Sequence, residues 1–207
     1  MSVFHQSEAK RKLLTAARQA QTVLPAKNPP VFWMTDPSRT PNIVHVCENL
    51  PKGWGVIFRH FGQTDRHEHA AQIASVCKRR RLSLLIANDP MLAKHVGADG
   101  VHWPHAAKTQ AKYWRKAFPL MTVSAHSATD VRCLRNDLYD AAMLSCVFPS
   151  NSPTAGKPLG ALSFRMITKS APLPCYGLGG INQTNAQSVA STAGLAMVSA
   201  IDTIFGI

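Results

Sequence analysis

Short, fully apolar runs recur along the chain, and the segments between them carry apolar residues at helical spacing. Val31–Thr35, Gly55–Arg59, Leu82–Ala87, Gly100–Trp103, Leu120–Ser124, Ala141–Ser145, the run up to Leu178 and Leu195–Ser199 read as eight strands. Runs this apolar belong in a parallel sheet covered on both faces. Between them, Asp65–Lys78, the stretch from Asp89 to Val96, Lys108–Ala117, Ala128–Leu138, Leu162–Lys169, Gln183–Ala193 and Ile201–Phe205 read as helices. Asp89 is placed to cap its helix, with Pro90 in the first turn. The stretch from Asp36 to Asn49 is ambiguous: Pro41 argues against a long helix, and Ile43–Val46 fits a single helical turn. Residues Val147 to Gly160 form a long Pro/Ser/Gly loop. Eight strands alternating with helices at short spacing predict an α/β fold, a single-domain (β/α)8 barrel over 31–207. Residues 1–30 precede it as an extra helix, Glu8–Val23, and a linker broken by Pro25, Pro29 and Pro30.

Length and composition are compatible with that fold. The chain has 207 residues, 45% of them hydrophobic, enough for one compact core. No apolar run reaches membrane-spanning length, and Met1–Gln6 lacks the apolar stretch of a signal peptide. The five cysteines are scattered without a CxxC pair, which argues against a zinc cluster or disulfide framework and for reduced thiols in a cytoplasmic protein. The formal net charge of +12 raises nucleic acid as a partner. The densest basic run, Lys78–Arg81, sits at a helix end and has no interleaved aromatic residues, so a solvated face is the expected reading. The expected partner is a phosphorylated small molecule, not nucleic acid or membrane; a homodimer is compatible with the sequence.

Chemistry in such a barrel sits at the C-terminal strand ends. The last two of these stand out. Gly179–Gly180 follows the seventh strand, and Val198–Ser199 ends the eighth. Bare backbone N–H groups at a helix start favour an anion, and these two strand tips match the phosphate grip of (β/α)8 barrels. The alternative is a glycine turn without a ligand. Arg59 and His60 follow the second strand, Asn88 and Asp89 the third, His102 and His105 the fourth, Ser124 and His126 the fifth, and Ser150 and Ser152 the sixth. His126 is the candidate for proton transfer, because an imidazole titrates near neutral pH; it could equally bond the strand end and do nothing more. Asp89 could bind Mg2+ or only cap its helix. His102 and His105 lack an adjacent acidic third ligand for zinc.

Six runs carry a family likeness. They are Ile86–Asp89, Gly97–His102, Val123–Ser127, Val147–Ser150 with Pro158–Gly160, Gly179–Ile181 and Val198–Ile201, in that order. With these the chain resembles the thiamine phosphate synthase and thiazole tautomerase (TenI-like) family, from about residue 31 onward. The resemblance implies a (β/α)8 barrel and a role in thiamine biosynthesis. Synthases join hydroxymethylpyrimidine diphosphate to thiazole phosphate with Mg2+. The resemblance implies a thiazole phosphate at Gly179, Gly180, Val198 and Ser199, a pyrimidine neighbour at Ser124, and an asparagine and Mg2+ carboxylate at Asn88 and Asp89. Three departures fall on the diphosphate half. Ile57 and Phe61 stand where the synthase has a glutamine and a lysine. Trp103–Ala107 offers no second carboxylate. Ser150–Thr154 lacks the loop lysine, although Lys157 follows and Arg59 remains. Three functions compete: a tautomerase-like isomerase that uses His126 and needs no cofactor, a diverged Mg2+-dependent synthase, and a non-catalytic phosphometabolite-binding barrel.

Overall fold

The computed structural model describes residues 3–40, 42–152 and 156–206. Pro41 and, in the long loop, residues 153–155 therefore lie outside the described residues. The strands are β1 (Val31–Met34), β2 (Gly55–Phe58), β3 (Ser83–Ala87), β4 (Gly100–Trp103), β5 (Leu120–Ala125), β6 (Ala141–Ser145), β7 (Cys175–Leu178) and β8 (Gly194–Met197). They pair in sequence order, all parallel, and β8 returns to β1 through Val31–Leu195, Phe32–Ala196 and Trp33–Met197. The sheet is a closed (β/α)8 barrel, as the alternation of runs predicts.

Because side chains alternate along a strand, each run serves two cores. Phe32, Ile57, Leu85, Met143 and Tyr176 point into the lumen. Trp33, Val56, Leu84, Val101 and Trp103 point outward under the helices. The lumen is sealed at the N-terminal end of the strands by Phe32 and Tyr176. Their rings meet edge to face at 5.1 Å, and Tyr176 Oη donates to Pro29 O at 2.7 Å.

The helices are α1 (Val3–Val23), α2 (Ile43–Asn49), α3 (Arg66–Arg80), α4 (Pro90–His95), α5 (Ala111–Trp114), α6 (Ala128–Arg132), α7 (Gly160–Lys169), α8 (Ala186–Ala190) and α9 (Ser199–Phe205), with a 3₁₀ turn at His105–Gln110. The ambiguous stretch resolves into α2, capped by Asn42, whose side chain accepts from His45 N at 3.0 Å. The helices after β4, β5 and β7 are shorter than periodicity suggests, because barrel closure fixes their ends and the remaining residues turn back to the next strand. Ser199 opens α9 and does not end β8. The first helix extends back to Val3. Its buried face, Leu13, Ala16, Ala17 and Ala20, packs on α8, α9 and β8. No helix of the described residues is long and apolar enough to cross a membrane.

One buried carboxylate ties the N-terminal end of the barrel together. Asp140 precedes β6 and accepts from Arg115 Nη1 at 2.9 Å and Nη2 at 3.2 Å, from Met121 N at 2.8 Å and from Lys27 Nζ. Only 8% of the residue is exposed. Removing one partner of a buried charge cluster leaves the others uncompensated. Asp140→Ala is therefore expected to cost about 3–5 kcal/mol in urea unfolding; a loss below about 1 kcal/mol would show that water replaces the carboxylate.

Candidate functional site

A cavity of about 570 Å³ opens at the C-terminal end of the strands. Arg59, Ser150, Ser152, Gly179, Gly180, Val198 and Ser199 all line it. The glycine pair and the start of α9 thus face one space, although their elements are formed by different local sequences. Gly179 has φ +94° and Gly180 φ +65°. A Cβ on Gly180 would stand 2.3 Å from Pro149 O and 2.8 Å from Phe148 C. The pair must be glycine twice over: the left-handed backbone disfavours a side chain, and the loop after β6 occupies its place. Phe148 N donates to Gly179 O at 3.0 Å, and Asn185 Nδ2 donates to Gly180 O at 2.9 Å, so the carbonyls are turned away and held. Among the described residues no acceptor takes the Gly180 N–H. The first N–H groups of α9, at Ser199 and Ala200, lie past the reach of intrahelical bonds as at any helix start.

Two guanidinium groups flank this cradle. Arg39, in the loop after β1, donates from Nη1 to Ser199 Oγ at 3.2 Å. Its Nε lies 3.3 Å from Asp36 Oδ2. Arg59 is anchored by Nε to Thr35 O at 3.0 Å and places Nη2 3.9 Å from the same Asp36 oxygen. Burial would raise the Asp36 pKa, but the two bonds from Ser38 and the neighbouring Arg39 and Arg59 outweigh it and hold it below its ordinary value. With two cations to one carboxylate, the charged side chains lining the cavity favour an anion.

His126 stands exposed just past β5 and does not line the cavity itself. Its Nδ1 lies 3.1 Å from the hydroxyl of Ser145, which does line it. Its backbone N–H donates to Asp130 Oδ2 at 2.8 Å, and the other oxygen of Asp130 lies 3.4 Å from His105 Nε2. His126 is therefore fixed at two points, which leaves Nε2 for other partners.

Ser124 sits deeper in the lumen, 3.0 Å from His102 Nε2, and His102 Nδ1 lies 2.9 Å from Thr122 Oγ1. His102 is buried. Burial, with Arg59 nearby adding to it, lowers its pKa from the ordinary 6.5 to about 3. The unfolded chain thus binds a proton near 6.5 that the folded chain refuses until about 3, so stability falls as pH falls through that window. Wild-type unfolding free energy is expected to drop by about 1.4 kcal/mol per pH unit from this group alone, and His102→Gln to flatten that slope in urea titrations between pH 6.5 and 4.

Asn88 and Asp89 lie at the end of β3 and do not line the cavity. Asn88 adopts φ +50° and donates its backbone N–H to His102 O at 2.9 Å. Asp89 Oδ1 caps α4 by accepting from Leu92 N at 2.9 Å, and Oδ2 pairs with Arg66 Nη1 at 2.5 Å. Burial would raise its pKa, but the Leu92 bond and Arg66 outweigh burial and hold the carboxyl below its usual range. Among the described residues no group of three or more His, Cys, Asp and Glu could hold a metal ion. Phe61 is 55% exposed with Arg66 over its ring, and Lys157 is exposed away from the cavity lining. Trp103 points outward from β4 and touches neither cavity nor lumen, and His60 stacks on Phe58 outside the barrel.

Sequence reading missed Arg39, Asp36, Ser145, Asp130 and Arg66. Arg39 lies in the ambiguous stretch beside Pro41, which carries no periodic signal. Ser145 could have been found, because strand alternation places it on the lumen face with Ala141 and Met143. The pairing of Arg66 with Asp89 depends on how α3 leans on β3, which no local pattern encodes.

A family model described as thiamine monophosphate synthase (TMP-TENI) matches residues 37–204. A thiamine-phosphate synthase of Prochlorococcus marinus subsp. pastoris is 28% identical over 179 residues, covering 83% of this chain and 50% of that protein. A thiamine biosynthesis bifunctional protein ThiM/ThiE of Symbiobacterium thermophilum is 36% identical over 140 residues, covering 65% of this chain and 29% of that protein. The chain thus spans half or less of the length of these two curated relatives. Among solved structures, a thiamine phosphate pyrophosphorylase from Pyrococcus furiosus superposes with a TM-score of 0.68 at 20% identity, covering 84% of this chain and 92% of that one; at such identity the likeness speaks for the fold. With its family match running through all but the first strand of the barrel, the chain belongs to the thiamine monophosphate synthase (TMP-TENI) family.

Proposed function

We propose that the protein binds a thiazole phosphate and acts as a tautomerase-like isomerase with His126 as the proton carrier. The phosphate monoester would rest on the Gly180 amide, the Ser199 hydroxyl and the start of α9, with Arg39 and Arg59 compensating its charge. The ring would then extend toward Ser145 and Ser124. With Nδ1 committed to Ser145, the imidazole would work through Nε2: it removes a proton from the ring carbon, and the imidazolium formed returns it to the exocyclic carbon as the ring becomes aromatic. Atoms and charge balance without a second reactant.

The observation that carries this reading over diphosphate chemistry is the state of Asp89. A departing diphosphate needs Mg2+ or several cations. The one carboxylate aligned for Mg2+ has an oxygen in a helix cap and the other on Arg66. Held in this way, Asp89 does not fit a Mg2+ site. The synthase reading draws its support from the names of the relatives. The two separate cleanly. EDTA is expected to leave thiazole phosphate affinity and isomerisation unchanged. Mg2+-dependent release of diphosphate from hydroxymethylpyrimidine diphosphate plus thiazole phosphate would overturn the proposal in favour of a synthase. Binding of thiazole phosphate with neither reaction would leave a phosphometabolite-binding barrel.

A further inference from the structure

We infer that His102 is held as the Nε2–H tautomer and so turns the hydroxyl proton of Ser124 into the barrel mouth, where it serves as a donor to a lone pair on the bound ligand. The inference builds on the reading of that mouth as the ligand site, but its first test does not require a ligand.

Each hydrogen in this buried row needs an acceptor. Thr122, His102 and Ser124 form a chain: Thr122 Oγ1 to Nδ1 at 2.9 Å, then Nε2 to Ser124 Oγ at 3.0 Å. Thr122 is fully buried, His102 is 4% exposed, and Ser124 is half-buried on the lumen side. The imidazole is neutral, so one ring nitrogen donates and the other accepts. Suppose Nδ1 carries the hydrogen. It then donates to Thr122, and the hydroxyl hydrogen of Thr122, at a fully buried position, is left without an acceptor among the described residues. Ser124 must spend its own hydrogen on Nε2 and can offer the mouth only lone pairs. Suppose instead that Nε2 carries it. Thr122 then donates to Nδ1, Nε2–H donates to Ser124, and every buried hydrogen in the chain has an acceptor. The hydrogen left over belongs to Ser124, the one member that reaches toward solvent. A buried unsatisfied donor is costly, so the second arrangement prevails.

His102 is thus a positioning residue. It never touches the ligand, yet by donating to Ser124 it frees the hydroxyl hydrogen that Ser124 can offer. A ring nitrogen, a carbonyl or a carboxylate is accepted at that point. An N–H or ammonium group could use only the remaining lone pair of Ser124 Oγ and would leave the hydroxyl proton to find another acceptor, which makes it the poorer ligand at that point.

The tautomer is read directly by ¹⁵N NMR of histidine-labelled full-length protein, with the His102 resonance assigned by its loss in His102→Gln or, should that variant fold poorly, by its coupling pattern in Ser124→Ala. The expected result is a neutral ring with hydrogen on Nε2 at pH 6 to 8, in wild type and Ser124→Ala alike. Hydrogen on Nδ1, or an imidazolium at pH 6, overturns the inference. The second readout compares thiazole phosphate with its ring-carboxylate form, alongside inorganic phosphate. Ser124→Ala is expected to weaken the carboxylate form about tenfold and to leave inorganic phosphate unchanged. Equal affinity of the variant and wild type for the carboxylate form overturns the donor role. If the wild type binds none of the three, the functional reading fails by itself, and the tautomer still decides the orientation of the hydroxyl.

Discussion

His126→Ala is expected to lower isomerisation of thiazole carboxylate phosphate by about 10²–10⁴-fold while leaving phosphate affinity within a factor of two or so, the usual span for removing a placed acid–base group. The prediction follows from separation of duties. No group of the phosphate cradle bonds to the imidazole, whose ring contacts Ser145, and His126 is exposed, so its removal leaves no cavity. Unfolding free energy should therefore change by no more than about 0.5 kcal/mol, as for surface substitutions generally. Ser145→Ala should slow the reaction less, because it frees the ring to rotate but keeps the base. Single-turnover rates at saturating substrate test both. A His126→Ala rate within a factor of three of wild type would remove the imidazole from the chemistry.

Gly180→Ala is expected to cut affinity for thiazole phosphate and inorganic phosphate on the order of 100-fold and to destabilise the fold. Two costs combine. At φ +65° an L-residue pays about 1–2 kcal/mol for the left-handed backbone. The added methyl would also lie 2.3 Å from Pro149 O, which is main chain and cannot swing aside like a side-chain tip. The loop after β6 must retreat, and it carries Ser150 and Ser152 with it. Gly62→Ala is the control. It has φ +72° with open space around the site of the methyl and lies off the cavity lining. That variant should lose the backbone contribution alone and bind phosphate as wild type does. Calorimetric titration of both variants separates the effects; equal affinities would mean that the glycine pair is a turn and nothing more.

The barrel was legible because eight apolar runs alternate with helical segments at short spacing. Strand length and spacing gave the alternation, whereas which of Phe32 and Trp33, or of Met143 and Leu144, faces the lumen is not readable from fully apolar runs and is set by the structure. The meeting of Gly179–Gly180 with Val198–Ser199 was legible from two strand tips taken together, and both pairs line one cavity; the glycines alone would as readily mark a turn. What stayed hidden depends on register and reach. The lumen contacts of His102 follow from β4–β5 pairing, where His102 stands opposite Thr122, and no run within either strand announces that partner. The fate of Asp89 depended on a guanidinium from another helix. Arg39 reaches Ser199 across the seam where the barrel closes, the longest-range contact of the site.

That seam has a consequence for synthesis. Strand β1 has β2 on one side, and its other edge waits for β8; α1 waits with it for α8 and α9. A nascent chain emerging from the ribosome therefore carries an unpaired β1 edge and the apolar stripe of α1 until residues 194–205 have been made. The fold is sealed last where the ligand is expected to sit, so a ribosome stalled before β8 would hold out a chaperone substrate with seven strands made and no anion cradle.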